Sequence, residues 1–301
     1  MSAKNKVLHL KELYEKGVNI IEYLKCGHLD KKITSEDILL SYDLQAGTYT
    51  KFAKENRSYI SEYVAAASSV INDLGYFRTF LEVGVGEATM CLPLAELIGQ
   101  NKKVETYGFD ISWSRVRYAV ENLGLYTIDA NFFCADLFSI PFPDSSIDIV
   151  FTSHALEPNG GREVDALREL ARVAKKYIVL LEPDYDRAND LAKSRMEQHN
   201  YVRGLADAAK QLGLKICIDE PFSVSQNELN PTGLLVIEVD SIINNKPEFI
   251  CPVSKLPLKK FANVYTNPLC GLLYPVIDKV PCLTIDAAIV GTRFGDFIDE
   301  D

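Results

Sequence analysis

From Phe80 to about residue 240, short apolar runs alternate with amphipathic stretches, and this alternation limits the fold more than any other feature of the chain. Strands are predicted near 79–84, 104–109, 130–134, 147–152 and 176–182, with helices near 87–99, 113–122 and 162–174 between them. Each helix carries the chain back across the sheet, so successive strands run parallel. The class is therefore α/β, a doubly wound and largely parallel sheet. A helix near 202–212 leads to two more apolar runs at 214–218 and 233–240. Pro221, Asn227 and Pro231 lie between these two, with no helical pattern to support a crossover. They read as an antiparallel pair closing the sheet.

The flanks have different textures. Residues 1–75 read as a helical N-terminal cap. LKELYEKGVNIIEYLK carries apolar residues at helical spacing, Thr34 and Asp37 stand at capping-box spacing, and a third helix ends at Gly75. Residues 76–243 form the α/β domain. Residues 244–301 hold six prolines from Pro247 to Pro281, three cysteines and short β-like pieces, which marks a small β-rich C-terminal module.

Composition narrows the function. The chain has 42 Asp and Glu against 32 Lys and Arg, a net charge of −10, and no dense basic stripe. Nucleic acid is disfavoured as a partner, because phosphate contacts need a basic face. No run of 18 apolar residues predicts a membrane span, and the N-terminus lacks the pattern of a signal peptide. Seven scattered cysteines fit free thiols in a reducing compartment, so a cytoplasmic location is expected.

The first strand ends in LEVGVGEATM, Leu81 to Met90. A phosphate-binding P-loop needs Gly-Lys-Ser/Thr after its first glycine, whereas Gly84 and Gly86 are followed by Glu87, Ala88 and Thr89. A dinucleotide turn wants a third glycine where Thr89 stands. An acid just before the first glycine, Glu82, would repel a pyrophosphate but suits a cationic amino-acid end.

On these residues the chain resembles the class I S-adenosylmethionine-dependent methyltransferases over roughly residues 40–240, whose first motif is E/D-x-G-x-G. The resemblance implies a seven-stranded Rossmann-like sheet with its last strand antiparallel, and S-adenosyl-L-methionine as cofactor. It assigns Glu82, Gly84 and Gly86 to the cofactor's amino-acid end and Asp110, in VETYGFDI, to the ribose hydroxyls. It also assigns Asp136 to the adenine amino group and Ser153 to the cofactor wall at the end of the fourth strand. Asp110 and Asp136 also have turn-capping readings, and Ser112 competes with Asp110 as the cap of the next helix.

Methyl transfer is an in-line displacement, so alignment and desolvation dominate, with a general base needed for a hydroxyl acceptor. SHALEPNGG places Ser153, His154, Glu157 and Asn159 where open α/β sheets bind ligands, and LLEPDYD adds Glu182, Asp184 and Tyr185. His154 and Glu157 are the candidate catalysts, and Asn159 and Asp184 are candidate substrate contacts. SYDLQAGTYTKF resembles the Tyr-rich segment that closes over the cofactor in small-molecule members of the family. Tyr42 and Tyr49, seven residues apart, would share one face of a helix and form a lid. The acceptor expected is a small molecule, such as a sugar or nucleotide sugar of surface-polysaccharide or natural-product biosynthesis. The alternatives are an RNA or protein methyltransferase, and a non-catalytic partner of another methyltransferase.

The tail, FICPVSKLPLKKFANVYTNPLCGLLYPVIDKVPCL, resembles the small bacterial zinc-ribbon family related to the activator subunit of certain tRNA methyltransferases. Its C-x-x-C pairs are broken: Ser254 stands opposite Cys251, and Asn267 opposite Cys270. Two thiols do not make a structural zinc site, so no metal is expected. The tail would cover the catalytic domain, stabilise it, or join two copies as a homodimer.

Overall fold

The computed structural model describes residues 6–27, 33–100, 102–225, 227–239, 241 and 243–297. Five helices come first: α1 (Val7–Glu15), α2 (Ile20–Cys26), α3 (Ser35–Leu44), α4 (Thr48–Glu55) and α5 (Arg57–Asp73). Gly17, at φ +79°, divides the first predicted helix into α1 and α2. Thr34 and Asp37 start α3 with a reciprocal capping box. In α5, Ile60, Tyr63, Val64, Ala67 and Ile71 are buried at helical spacing, and this stripe packs onto the sheet.

Strands β1 (Thr79–Val83), β2 (Glu105–Asp110), β3 (Ala130–Cys134), β4 (Ile147–Ser153), β5 (Ala174–Pro183), β6 (Lys215–Pro221) and β7 (Thr232–Glu238) form one sheet in the order β3-β2-β1-β4-β5-β7-β6. β1 to β5 pair parallel, while β7 runs antiparallel to both β5 and β6. Helices α6 (Cys91–Gly99), α7 (Trp113–Leu123), α8 (Glu163–Val173), α9 (Asp190–Gln198) and α10 (Leu205–Gln211) complete the α/β domain. α5, α6 and α7 cover one face, and α8 and α10 the other. All five β1 residues are buried, as a central strand with both faces covered requires. Because the chain winds outward in both directions from β1 and β4, a crevice opens at the carboxyl ends of these strands.

The C-terminal strands β8 (Lys259–Phe261), β9 (Val264–Asn267), β10 (Leu272–Ile277), β11 (Val280–Pro281) and β12 (Ile289–Val290) form a small antiparallel sheet. It lies against β3, which would otherwise be an exposed edge. The backbone of Cys282 forms an isolated parallel β-bridge with that of Cys134, and the Leu283 N–H donates to the Cys134 carbonyl at 2.8 Å. Cys251, Leu258, Tyr274 and Leu283 join the core of the main sheet, and Phe249 packs among Phe133, Phe142 and Tyr265. Covering an edge strand blocks its pairing with another chain. No group of three His, Cys, Asp or Glu is placed to hold a metal ion among the described residues. No helix among them is long and apolar enough to cross a membrane.

Candidate active site

The crevice widens into a cavity of about 640 Å³ between the carboxyl ends of β1, β2 and β4 and the helices α3, α4 and α5. Its wall includes Glu82, Gly84, Gly86, Asp110, Asp136, Ser153, His154, Glu157 and Asn159, together with Tyr42 and Tyr49 from the cap. Eleven of the twelve predicted site residues thus line one space. Asp184 is the exception. It accepts from the backbone and guanidinium of Arg187 and lines a second, much smaller cavity.

The turn after β1 explains its glycines. Gly84 and Gly86 have φ of +68° and +54°, where a side chain is strained. A Cβ on Gly84 would stand 2.4 Å from the Ala155 Cβ, so the turn and the β4 loop touch backbone to side chain. The helix predicted from residue 87 begins at Cys91, because residues 87–90 belong to the turn.

Glu82 is buried at 3% exposure, and its Oε2 has no hydrogen-bond partner. Burial raises its pKa to about 8, and a hydrogen bond with Cys91 only partly offsets this. Asp110 accepts from the Gly86 N–H at 3.1 Å and the Ser112 N–H at 2.9 Å, while the Ser112 hydroxyl caps α7. Burial raises the Asp110 carboxyl despite the nearby Arg115 and these N–H donors. Asp136 accepts from the Phe138 N–H at 2.9 Å and so shapes its own turn. The Ser153 hydroxyl meets the Tyr63 hydroxyl at 2.8 Å.

On the same cavity wall His154 sits at φ +52°. Both of its nitrogens are engaged: Nδ1 with Glu157 Oε2 at 2.8 Å and Nε2 with the Thr232 hydroxyl at 2.9 Å. Burial pulls the imidazole pKa down, but the Glu157 hydrogen bond and charge outweigh it, and the result lies above 6.5. Burial raises Glu157 as well, but its bond to His154 wins and holds the carboxyl below its ordinary value. Each partner thus favours the charged form of the other. Asn230 donates to Glu157 at 2.9 Å and leaves its own Oδ1 without a partner on the cavity wall. Glu182 lies behind the cavity and accepts from the backbone N–H groups of Ala155, Leu156 and Glu157, which fixes the loop that carries this pair.

Tyr42 and Tyr49 do not share a helix. Gly47, at φ +94°, separates α3 from α4, and the two rings meet instead at Arg115, whose guanidinium carbon lies 4.6 and 4.5 Å from their centroids. Two reciprocal caps tie this cover to the sheet. Asp43 accepts from the Ser112 hydroxyl and the Ser114 N–H at the start of α7. Glu87, on the glycine turn, accepts from the N–H groups of Gly47, Tyr49 and Thr50 at the start of α4. Helix α4 buries none of its residues, so this carboxylate is its main anchor. Glu87→Ala is therefore expected to cost about 1–2 kcal/mol, the scale of a lost helix cap. Hydrogen exchange should show faster opening confined to residues 48–55, with α5 unchanged.

Residues 80–177 match the family model of a methyltransferase domain. No curated protein matches the chain by sequence. Among solved structures, the chain is similar to magnesium protoporphyrin IX methyltransferase of Synechocystis PCC 6803 with bound SAH, at 17% identity, over 66% of this chain and 98% of that one, with a TM-score of 0.50. It is equally similar to a chain in the complex of the Haloferax volcanii Trm112 methyltransferase activator with a proposed methyltransferase, at 16% identity, over 66% and 98% of the two chains, with a TM-score of 0.50. A SAM-dependent methyltransferase from Aquifex aeolicus aligns at 18% identity over 57% of this chain and 88% of that one, with a TM-score of 0.45. The family match runs from β1 into the start of β5 and so includes β1, β2 and β4, whose carboxyl ends border the cavity. Over residues 80–177 the chain is thus similar to a methyltransferase domain, and its fold is that of the solved structures above.

Proposed function

We propose that the cavity holds S-adenosylmethionine along the β1 turn and presents it to a small-molecule acceptor seated beside the His154–Glu157 pair. One observation carries this reading: a buried Glu82 carboxyl with an unpaired oxygen, a glycine turn and the hydrogen-bonded His154–Glu157 pair all line a single cavity. An unsatisfied buried carboxyl is costly, and an ammonium ligand removes that cost. The residues present therefore fit the cofactor. Glu82 would hold its ammonium, Gly84 and Gly86 would let its chain approach the backbone, Asp110 would take the ribose hydroxyls, and Asp136 the adenine side. When bound, the cofactor supplies an electrophilic methyl group on a sulfonium.

The chain's own residues do the rest. Tyr42 and Tyr49 close the cavity from the cap side and keep water out. Asn230 Oδ1 awaits a donor, which a hydroxyl or amine of the acceptor supplies. Asn159, on the same wall, offers a second polar contact. His154 takes a proton from the acceptor only in its neutral form and by exchanging its Thr232 bond at Nε2 for one to the acceptor, with Glu157 holding the ring in place through Nδ1. Tyrosine faces beside amide and carboxylate groups suit a sugar ring, and a sugar or nucleotide sugar is the acceptor class we favour.

The test is transfer of a labelled methyl group from S-adenosylmethionine to a panel of sugars, nucleotide sugars and bulk RNA. Labelled sugar products, reduced at least tenfold by His154→Gln with cofactor binding intact, are the expected result. Label on RNA alone would overturn the small-molecule reading.

A further inference from the structure

Arg115 is the one Lys or Arg on the cavity wall among the described residues, and it does not behave like a structural arginine. It is 5% exposed, on the first turn of α7, where its Nε donates to the Tyr42 carbonyl at 3.0 Å. Its Nη2 is buried with no acceptor, although guanidinium groups taken out of water are ordinarily bonded along the whole fork. The Tyr42 and Tyr49 rings hold the cation from the cap side without satisfying that nitrogen.

Position gives the orphan its meaning. The Nη1 atom lies 3.6 Å from where a Cβ on Gly86 would stand, so the guanidinium rests over the second glycine of the turn. Glu82 precedes the first glycine, and its own Oε2 is unpaired. A buried acid and a buried base, each with one unsatisfied atom, therefore flank one turn and line one cavity. A phosphate would satisfy only the arginine, and a simple amine only the glutamate. An α-amino acid satisfies both.

Resting on the cofactor reading above, we infer that Arg115 is a binding residue for the α-carboxylate of the cofactor, forming with Glu82 a two-ended clamp for its zwitterionic end. The clamp also links the cap to binding. Tyr42 and Tyr49 lie against the same guanidinium, so a carboxylate that fixes Arg115 fixes the two rings that close the site.

The test is calorimetric titration of the full chain with three ligands. S-adenosylhomocysteine carries both charges, 5′-deoxy-5′-(3-aminopropylthio)adenosine lacks only the carboxylate, and 5′-methylthioadenosine lacks the whole amino-acid end. The wild-type protein should bind the aminopropyl compound at least tenfold more weakly than S-adenosylhomocysteine. Arg115→Met should weaken S-adenosylhomocysteine at least tenfold while leaving methylthioadenosine within twofold. Equal wild-type affinity for the first two ligands would overturn the assignment without any variant. An equal loss of S-adenosylhomocysteine and methylthioadenosine in R115M would overturn it too, since Arg115 would then serve the nucleoside or the fold. Failure of the wild-type protein to bind any of the three would instead overturn the cofactor reading itself, and the clamp with it.

Discussion

Replacing Glu82 with Gln is expected to weaken S-adenosylhomocysteine binding by about 100-fold while making the ligand-free protein more stable at alkaline pH. The two effects share one cause. Removing one partner of a buried charge pair costs about 2–5 kcal/mol of binding. Without ligand, however, burial moves the Glu82 carboxyl from 4.5 to about 8, so its ionised form is disfavoured in the fold. A carboxyl raised in this way contributes stability that is fully present below its unfolded value and is lost as pH rises through its folded value. Across that window the difference between the two proteins should grow to several kcal/mol, by linkage at about 1.4 kcal/mol per pKa unit. Thermal unfolding of wild type and Glu82→Gln at pH 5 and pH 9 checks it. The Gln variant should match wild type at pH 5 and exceed it at pH 9. The same carboxyl must lose its proton to meet an ammonium, so below pH 8 wild-type binding should release a proton, seen as a buffer-dependent enthalpy. Equal stability at both pH values, or binding unaffected by the substitution, would remove Glu82 from the site.

The second large effect is at Gly84. Its φ of +68° disfavours any side chain, and its Cβ would come within 2.4 Å of the Ala155 Cβ, inside hard contact. Strain and overpacking each cost about 1–3 kcal/mol, so Gly84→Ala should lose on the order of 2–5 kcal/mol of stability. Gly86→Ala is the internal control. It also has positive φ, but its Cβ would find only the Arg115 Nη1 at 3.6 Å, so it should lose only about 1–2 kcal/mol. Adding Ala155→Gly should restore part of the loss at Gly84 and none at Gly86. Denaturant unfolding of the wild type and the four variants measures this directly. Equal losses at the two glycines would mean that the close approach to Ala155 does not hold in solution.

What could be read from the sequence followed from how local each feature is. Strand runs of Val, Ile, Leu and Phe, and the capping box at Thr34, are written within a few residues, and the elements stand close to where those signals place them. The place of Glu82, Gly84 and Asp110 on the cavity wall was legible because each stands at or just beyond the carboxyl end of a strand whose place in the sheet fixes what it faces. Arg115, Glu87 and Asn230 were not. Glu87 acquires its role from backbone 37 to 40 residues away, and Asn230 by reaching Glu157 across 73 residues. Arg115 reads as an ordinary helix arginine until Tyr42 and Tyr49 are brought to it. The seven-residue spacing of those tyrosines suggested a single helix, but Gly47 sits between them and turns the chain. Asp184 lies off the main cavity although its segment follows β5 as expected, and its carboxylate is held by a nearby arginine, Arg187.

The measurement that bears most directly on the cofactor site is calorimetric titration of the purified protein with S-adenosylhomocysteine, with Asp110→Ala alongside. Asp110 holds the Gly86 and Ser112 N–H groups and stands on the cavity wall, so its loss removes both a ligand contact and a brace of the turn. The predicted result is micromolar binding at one site per chain, weakened at least 30-fold in the variant. A folded wild-type protein that gives no binding heat at any pH between 6 and 9, or an Asp110→Ala variant that binds as tightly as wild type, would contradict the account.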